Sequence, residues 1–203
     1  MIVVIDYGIN NSSSVVRMVE KVGGEVKRAS APEDLNDASK LILPGVGHFD
    51  EGMKRLESMG FREPLREMIQ ERDMPILGIC LGMQLLCRCS EEGDLPGLGL
   101  VDARVRSLAC EARENLKIPH MGWNTLDVIK SNSLIPEGSD TQRFYFVHSY
   151  YVELDGQEFC IAEADYGAKF CAAFQSNRIF GVQFHPEKSH RFGMSLMKNF
   201  VDL

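Results

Sequence analysis

The sequence predicts an α/β protein with a mostly parallel central sheet flanked by helices and extended by antiparallel strands. Three observations predict it. The first half alternates short β-branched runs with segments at helical spacing, the pattern of a parallel sheet covered on both faces. The second half replaces the helices with short strands set apart by turn residues. Two apolar runs of the first half end in glycine-rich turns, Pro44-Gly45-Val46-Gly47 and Gly78-Ile79-Cys80-Leu81-Gly82, and parallel sheets place their chemistry at that edge.

In chain order, Ile2-Val3-Val4-Ile5 is a continuous β-branched run, the mark of a strand buried on both faces. The polar stretch Asn10 to Ser14 can cap a helix through Val15, Val16, Met18, Val19 and Val22, which Gly23-Gly24 ends. A short strand through Val26 and a buried strand Leu41-Ile42-Leu43 follow. A helical region from Phe49 to about Arg72 is broken near Gly60 and Pro64. Then come a strand from Ile76 to Ile79 and a helix from Met83 to Cys87. Beyond a turn-rich stretch at 91–97, strands are expected at 100–105, 126–129, 144–147, 150–154, 159–164, 170–175 and 179–184. From His190 to Phe200, Phe192, Leu196, Met197 and Phe200 recur at helical spacing, so a packing helix closes the chain.

The chain has 203 residues, 44% of them hydrophobic and 25% charged, which suits one domain with a real core. A net charge of −7 and the lack of a long Lys/Arg run argue against nucleic acid as the ligand. No apolar run approaches the ~20 residues of a membrane span. The N-terminus meets Asp6 at once and lacks a basic leader, so it does not read as a signal peptide. The expectation is a cytoplasmic protein. Its six cysteines are then free thiols rather than a disulfide framework. Cys87-Arg88-Cys89 lacks zinc spacing, and Cys87 continues an apolar helix face; neither a metal nor a cofactor is expected.

Chemistry concentrates at Cys80 and at His185-Pro186-Glu187. A lone cysteine after an apolar run is ordinarily a small buried hydrophobe. Here glycines stand two places either side, as a sharp strand-to-helix turn requires, and a helix N-terminus favours the thiolate. His185 follows the run Ile179 to Phe184, and Pro186 stops that strand from continuing. Alone, His185 would be a turn histidine and Glu187 a solvated carboxylate. Together with Cys80 they supply a nucleophile, a base and a group that fixes the base's tautomer. Gly45, Val46 and Gly47 end another predicted strand, where a backbone N–H could meet a developing oxyanion, and the N–H of Leu81 is the natural second donor. Pro119-His120-Met121-Gly122-Trp123-Asn124 holds the only tryptophan, read by itself as a core aromatic at a turn. Tyr145 to Tyr151 reads by itself as an antiparallel strand with one wet face.

With these residues in place, the chain resembles the class I (triad) glutamine amidotransferases over nearly its whole length, as one domain spanning 1–203. Pro44-Gly45-Val46-Gly47, Gly78 to Gln84 and His185-Pro186-Glu187 carry the resemblance in that order. Asp6-Tyr7-Gly8, Pro119 to Asn124 and Tyr145 to Tyr151 are similar to the branch that serves histidine biosynthesis. The resemblance implies that Cys80 attacks the side-chain amide carbon of glutamine, His185 shuttles the proton and Glu187 orients His185. It implies that Gln84, Ser149 and Tyr150 hold the amino-acid end of glutamine, with Glu92 a weaker candidate. It also implies that ammonia passes to a separate (β/α)8 cyclase subunit, which makes imidazole glycerol phosphate and AICAR. Met121, Gly122, Trp123 and Asn124 would then lie at the partner interface and ammonia tunnel.

Two positions depart from the family pattern. Asn10 stands where a glycine is usual, and asparagine adopts the left-handed conformation less readily. His48 stands where a small residue usually follows the last glycine of the oxyanion strand; it reads as an exposed loop histidine. The glutaminase motifs leave open a paralogue that supplies ammonia for sugar amidination. A catalytically quiet regulatory subunit and a free-standing cysteine hydrolase are the readings from other classes.

Overall fold

The computed structural model describes residues 1–110, 116–135 and 142–203. In the first half the apolar runs become strands because both of their faces are covered. β1 (Ile2–Ile5) is wholly buried. It is followed by α1 (Ser12–Lys21), β2 (Val26–Ala29) and β3 (Lys40–Gly45). Then come α2 (Phe49–Ser58), α3 (Arg62–Gln70), β4 (Ile76–Cys80) and the short α4 (Leu81–Leu85). Side-chain alternation splits the core: Ile2 and Val4 pack on one side of the sheet, Val3 and Ile5 on the other.

The second half supplies β5 (Cys89–Ser90), β6 (Ala103–Ser107), β7 (His120–Thr125), β8 (Asp127–Val128), β9 (Arg143–His148) and β10 (Tyr150–Leu154). β11 (Cys160–Asp165), β12 (Lys169–Ser176), β13 (Ile179–Val182) and α5 (His190–Asp202) complete it. Among the described residues the main sheet runs β2-β1-β3-β4-β13-β12-β10-β6-β5, with β11 joining β12 to β8. β7 and β9 form a separate antiparallel pair.

One feature of this order positions the site. β13 returns from the far end of the chain to lie parallel to β4, with Val182 opposite Ile79. On the other side of β4 lies β3, with Gly45 opposite Cys80. The carboxyl ends of three strands distant in sequence therefore finish side by side.

The expected α/β class holds, and most elements lie within a few residues of their expected places. The differences have local causes. Pro64 sits in the first turn of α3, where its missing N–H is harmless, so the break falls at 59–61. Asn11 precedes α1 without a side-chain cap; Asn10 Oδ1 instead accepts from Ser12 N at 3.1 Å. α4 begins at Leu81 and ends at Leu85, so Cys87 is buried beyond the helix rather than on its face. Leu100 and Val101 give their N–H groups to the Leu86 carbonyl, which delays β6 to Ala103. The tryptophan segment is strand β7, not a turn, and Trp123 is 41% exposed rather than core. Cys80, Cys87, Cys89, Cys160 and Cys171 are free thiols; the Cys110 side chain lies outside the described residues. No helix among the described residues is long and apolar enough to cross a membrane.

The turn after β4 is packed backbone to backbone. A Cβ on Gly82 would lie 1.7 Å from the Leu43 carbonyl oxygen, and one on Gly78 would lie 2.7 Å from Met83 Cα. Gly82→Ala should therefore destabilise the protein by about 3 kcal/mol, because backbone cannot yield as a flexible side chain would. Urea unfolding of the two proteins checks this; a change within ~0.5 kcal/mol would mean that β3 and α4 can part without strain.

Candidate active site

Cys80 ends β4 and immediately precedes α4, in a conformation (φ 53°, ψ −112°) that residues with a Cβ rarely adopt. Such strain persists only where the surroundings enforce it, and the glycine contacts on either side do so here. The side chain is only 6% exposed and faces a cleft of about 270 Å³. Its Sγ lies 3.8 Å from the Val147 carbonyl, and Gln183 Nε2 approaches it at 3.8 Å.

His185 reaches the same cleft from the segment after β13. Its backbone N–H donates to the Tyr145 carbonyl at 2.9 Å, and Pro186 opens a short 3-10 turn that carries Glu187 back beneath the ring. His185 Nδ1 lies 2.8 Å from Glu187 Oε1, with both side chains almost fully buried. A carboxylate can only accept, so the Nδ1 proton is assigned by chemistry and Nε2 is left toward the cleft. Nε2 is buried with no well-aligned hydrogen bond. Burial opposes charge on the ring. The Cys80 sulfur and the Glu187 carboxylate outweigh it and push His185 up to about 10. Burial likewise works against the Glu187 carboxylate, but the bond to His185 holds it below the usual range. Asn11 Nδ2 also donates to Glu187 Oε1, at 3.4 Å.

The other expected site residues divide into three groups. Val46, Gly47, Leu81, Gln84, Ser149 and Tyr150 line the cleft with Cys80 and His185, as does Glu92, whose Oε2 accepts from Phe49 N at 2.9 Å. Gly45 lies behind it, where a Cβ would meet Tyr7 Oη at 2.5 Å. Val46 N–H donates to the Ile9 carbonyl at 3.2 Å, so in this conformation it is not aimed at the cleft. Gly47 has φ +102°, a conformation glycine permits. The third group sits on β7. Met121 and Trp123 are 62% and 41% exposed, and Trp123 stacks on the His190 ring at 5.5 Å. Asn124 turns the other way, donating to the Asp165 carbonyl at 2.8 Å.

Sequence reasoning missed several participants. Asn11 and Gln183 touch Glu187 and Cys80 from distant segments. Gln183 did carry a signal, as the one amide in an otherwise apolar run. His120 and His148 were unremarked, yet both are buried and directly bonded to each other at 3.0 Å. Of the two departures, Asn10 has no positive φ and ties Ile5 O through its amide at 2.9 Å, while exposed His48 caps α2 by accepting from Asp50 N at 3.2 Å. Among the described residues no cluster of His, Cys, Asp or Glu could hold a metal ion.

The model of the glutamine amidotransferase class-I family matches residues 3–203, and the chain belongs to that family. Within it, the chain is 46% identical over 203 residues to imidazole glycerol phosphate synthase subunit HisH 2 of Pseudomonas aeruginosa, covering 100% of both chains. It is 48% identical over 204 residues to subunit HisH 1 of the same synthase from Campylobacter jejuni, again covering 100% of both. The fold is shared at lower identity with PurLQS from Thermotoga maritima, at a TM-score of 0.74 and 19% identity over 99% of this chain and 97% of that one.

Burial holds His120 down at about 4. Burial first, and His120 second, hold His148 at about 3, so both rings fold neutral. In the unfolded chain they protonate near the ordinary value of 6.5, and protons bound only by the unfolded state draw the equilibrium toward it. Their contribution to stability is therefore complete above pH 6.5 and is lost as the pH falls from there toward 4. Melting temperatures across that range should drop more steeply for the wild type than for His120→Asn. Matching acid slopes would mean that the rings titrate alike in both states.

Proposed function

We propose that the chain is the glutaminase subunit of an imidazole glycerol phosphate synthase and acts through Cys80, His185 and Glu187. The observation that carries this reading is the buried His185–Glu187 bond of 2.8 Å set beside a cysteine at the strained end of β4. The full-length similarity to synthase subunits named HisH supports the pathway assignment.

Cys80 Sγ attacks the side-chain amide carbon of glutamine with its proton already held by His185, which the sulfur and the Glu187 carboxylate keep protonated. The tetrahedral oxyanion is met by backbone N–H groups of Leu81 and the Gly47 loop. Because Val46 N–H is committed to Ile9 in this conformation, the Gly45–Gly47 strand has to rearrange to supply its donor. Collapse breaks the C–N bond, and His185 returns the proton to the departing nitrogen, which leaves as ammonia. Water, deprotonated by His185, then cleaves the γ-glutamyl thioester and releases glutamate. Glu187 keeps the Nδ1 side of the ring fixed throughout and balances its charge. Gln84, Ser149 and Tyr150 form the wall against the amino-acid end of the substrate. A (β/α)8 cyclase subunit docks over the exposed Met121 and Trp123 and receives the ammonia, forming imidazole glycerol phosphate and AICAR.

Cys80→Ala should abolish glutamate release from glutamine while the complex still uses free ammonia; hydrolysis at the wild-type rate would remove Cys80 as nucleophile. Glu187→Gln should lose less activity than Cys80→Ala, by roughly a hundredfold, because Glu187 orients rather than attacks. An equal loss would give Glu187 a larger role than orientation. Trp123→Ala should weaken binding of the cyclase subunit by about tenfold or more, as expected for an aromatic anchor. Titration calorimetry showing unchanged affinity would leave Trp123 outside the interface.

A further inference from the structure

His148, which lines the cleft beside Ser149 and Tyr150, and His120 behind it are two histidines for which the proposed mechanism has no use. Their hydrogen bonds leave no freedom in where the protons sit. His148 Nδ1 lies 2.9 Å from the Tyr150 carbonyl, which only accepts, so that nitrogen carries hydrogen. In the neutral ring Nε2 is then bare and accepts from His120 Nδ1 at 3.0 Å. His120 Nε2 is bare in turn and accepts from Asn124 Nδ2 at 3.3 Å, while the second hydrogen of that amide goes to the Asp165 carbonyl. The chain of donors runs one way, from Asn124 through His120 and His148 to the Tyr150 carbonyl. A second proton on either ring would set N–H against N–H. The His120 ring is also held by stacking, on Tyr166 at 4.0 Å and on Phe146 at 4.8 Å.

The far end of the chain is where it matters. The Tyr150 carbonyl also accepts from Gln84 Nε2 at 3.0 Å, and Gln84 continues to Gln183 Oε1 at 3.1 Å. Gln183 is the amide that approaches Cys80 Sγ. The His148 bond spans only from residue 148 to 150, so it closes the corner at which β9 passes into β10 and on which Ser149 lines the cleft. Burying two imidazoles to fill space would be wasteful where Leu or Phe would serve; a fully satisfied polar network instead fixes one geometry.

We propose that His120 and His148 are positioning residues for glutamine binding: the direction-locked pair sets the Tyr150 carbonyl, and with it Gln84 and the Ser149 corner, from strand β7. This deepens the glutaminase reading and rests on it. The link begins on the strand whose outer face carries Met121 and Trp123, so the cleft wall is referenced to that strand rather than to the main sheet alone.

The experiment is steady-state glutamate release by the chain in complex with its cyclase subunit, resolved into KM and kcat, with melting temperature as the control for folding. His148→Phe keeps the ring's bulk and removes the donor to the Tyr150 carbonyl. It should raise KM for glutamine about tenfold while kcat stays within about threefold. His148→Asn, whose amide can reach the same carbonyl, should bring KM back to within about threefold of wild type. An unchanged KM in a folded His148→Phe protein overturns the proposal, as does a His148→Asn protein no better than His148→Phe. Long-range 1H–15N spectra of the wild type supply a measurement independent of any variant's folding. Both rings should be Nδ1–H tautomers, and an Nε2–H ring at either position overturns the proposal. A wild-type complex that releases no glutamate would instead overturn the glutaminase reading on which this one stands.

Discussion

The structure depends on the register of three parallel strands. β4 lies between β3 and β13, with Gly45 opposite Cys80 and Val182 opposite Ile79. A slip of one residue in either pairing would turn every side chain of the slipped strand to the wrong face. Because β4 is buried on both sides, no such slip is tolerable. The register brings three sequence-distant chain ends to one edge, one ending in glycines, one in a cysteine and one leading to a histidine. The glycines of the turn follow from the same constraint, since α4 must fold back over β3 closely enough for Gly82 to meet the Leu43 carbonyl.

What the register brings together it also buries, and burial decides the electrostatics. His185 and Glu187 are almost fully removed from water, where charging either alone would be heavily penalised. His185 holds Glu187 ionised, while the Cys80 sulfur and Glu187 together hold His185 protonated, so the balance is local. Glu187 takes a second donor from Asn11, but its Oε2 has no hydrogen-bond partner among the described residues. Tyr7 Oη is likewise buried without one, and burial first, with Cys80 and Asp6 adding to it, raises its pKa far above the usual phenol value. Unsatisfied buried groups are rare in proteins, and among the described residues Tyr7 Oη and Glu187 Oε2 are two that lie just beneath the cleft wall.

Much of this was legible in the sequence, and what was not has a physical pattern. Runs such as Ile2 to Ile5 announce themselves because burial on both faces removes every polar residue from the strand. The ends of β3 and β4 and the start of the 3-10 turn at Pro186 were readable because glycine and proline mark positions where the backbone must do something unusual. β7 was not, because its sequence mixes His, Met, Gly, Trp and Asn and carries no apolar alternation. Its outer face is exposed and its inner face is polar, so neither side has the signature of a core strand. Asn11 and Gln183 were invisible for another reason. Their importance lies in a contact with a residue more than a hundred positions away, and nothing in their neighbours in the chain encodes that.

β7 also shows how a short strand can serve two surfaces at once. Period-two alternation sends Met121 and Trp123 outward and His120 and Asn124 inward, with Gly122 between them at φ +131°. An α-helix would have spread these residues around a cylinder and could not have divided them so cleanly. The outward residues make an exposed apolar face, while the inward ones reach the corner between β9 and β10 through bonds of 3.0 and 2.9 Å. Hydrogen bonds of that length transmit position poorly if either end is loose, so the stacking of His120 on Tyr166 and Phe146 matters as much as the bonds themselves. Any force applied to the outer face of β7 acts on a strand whose inner face is fastened to the cleft. The geometry of the cleft is therefore set from two directions: by the parallel register beneath it and by β7 beside it.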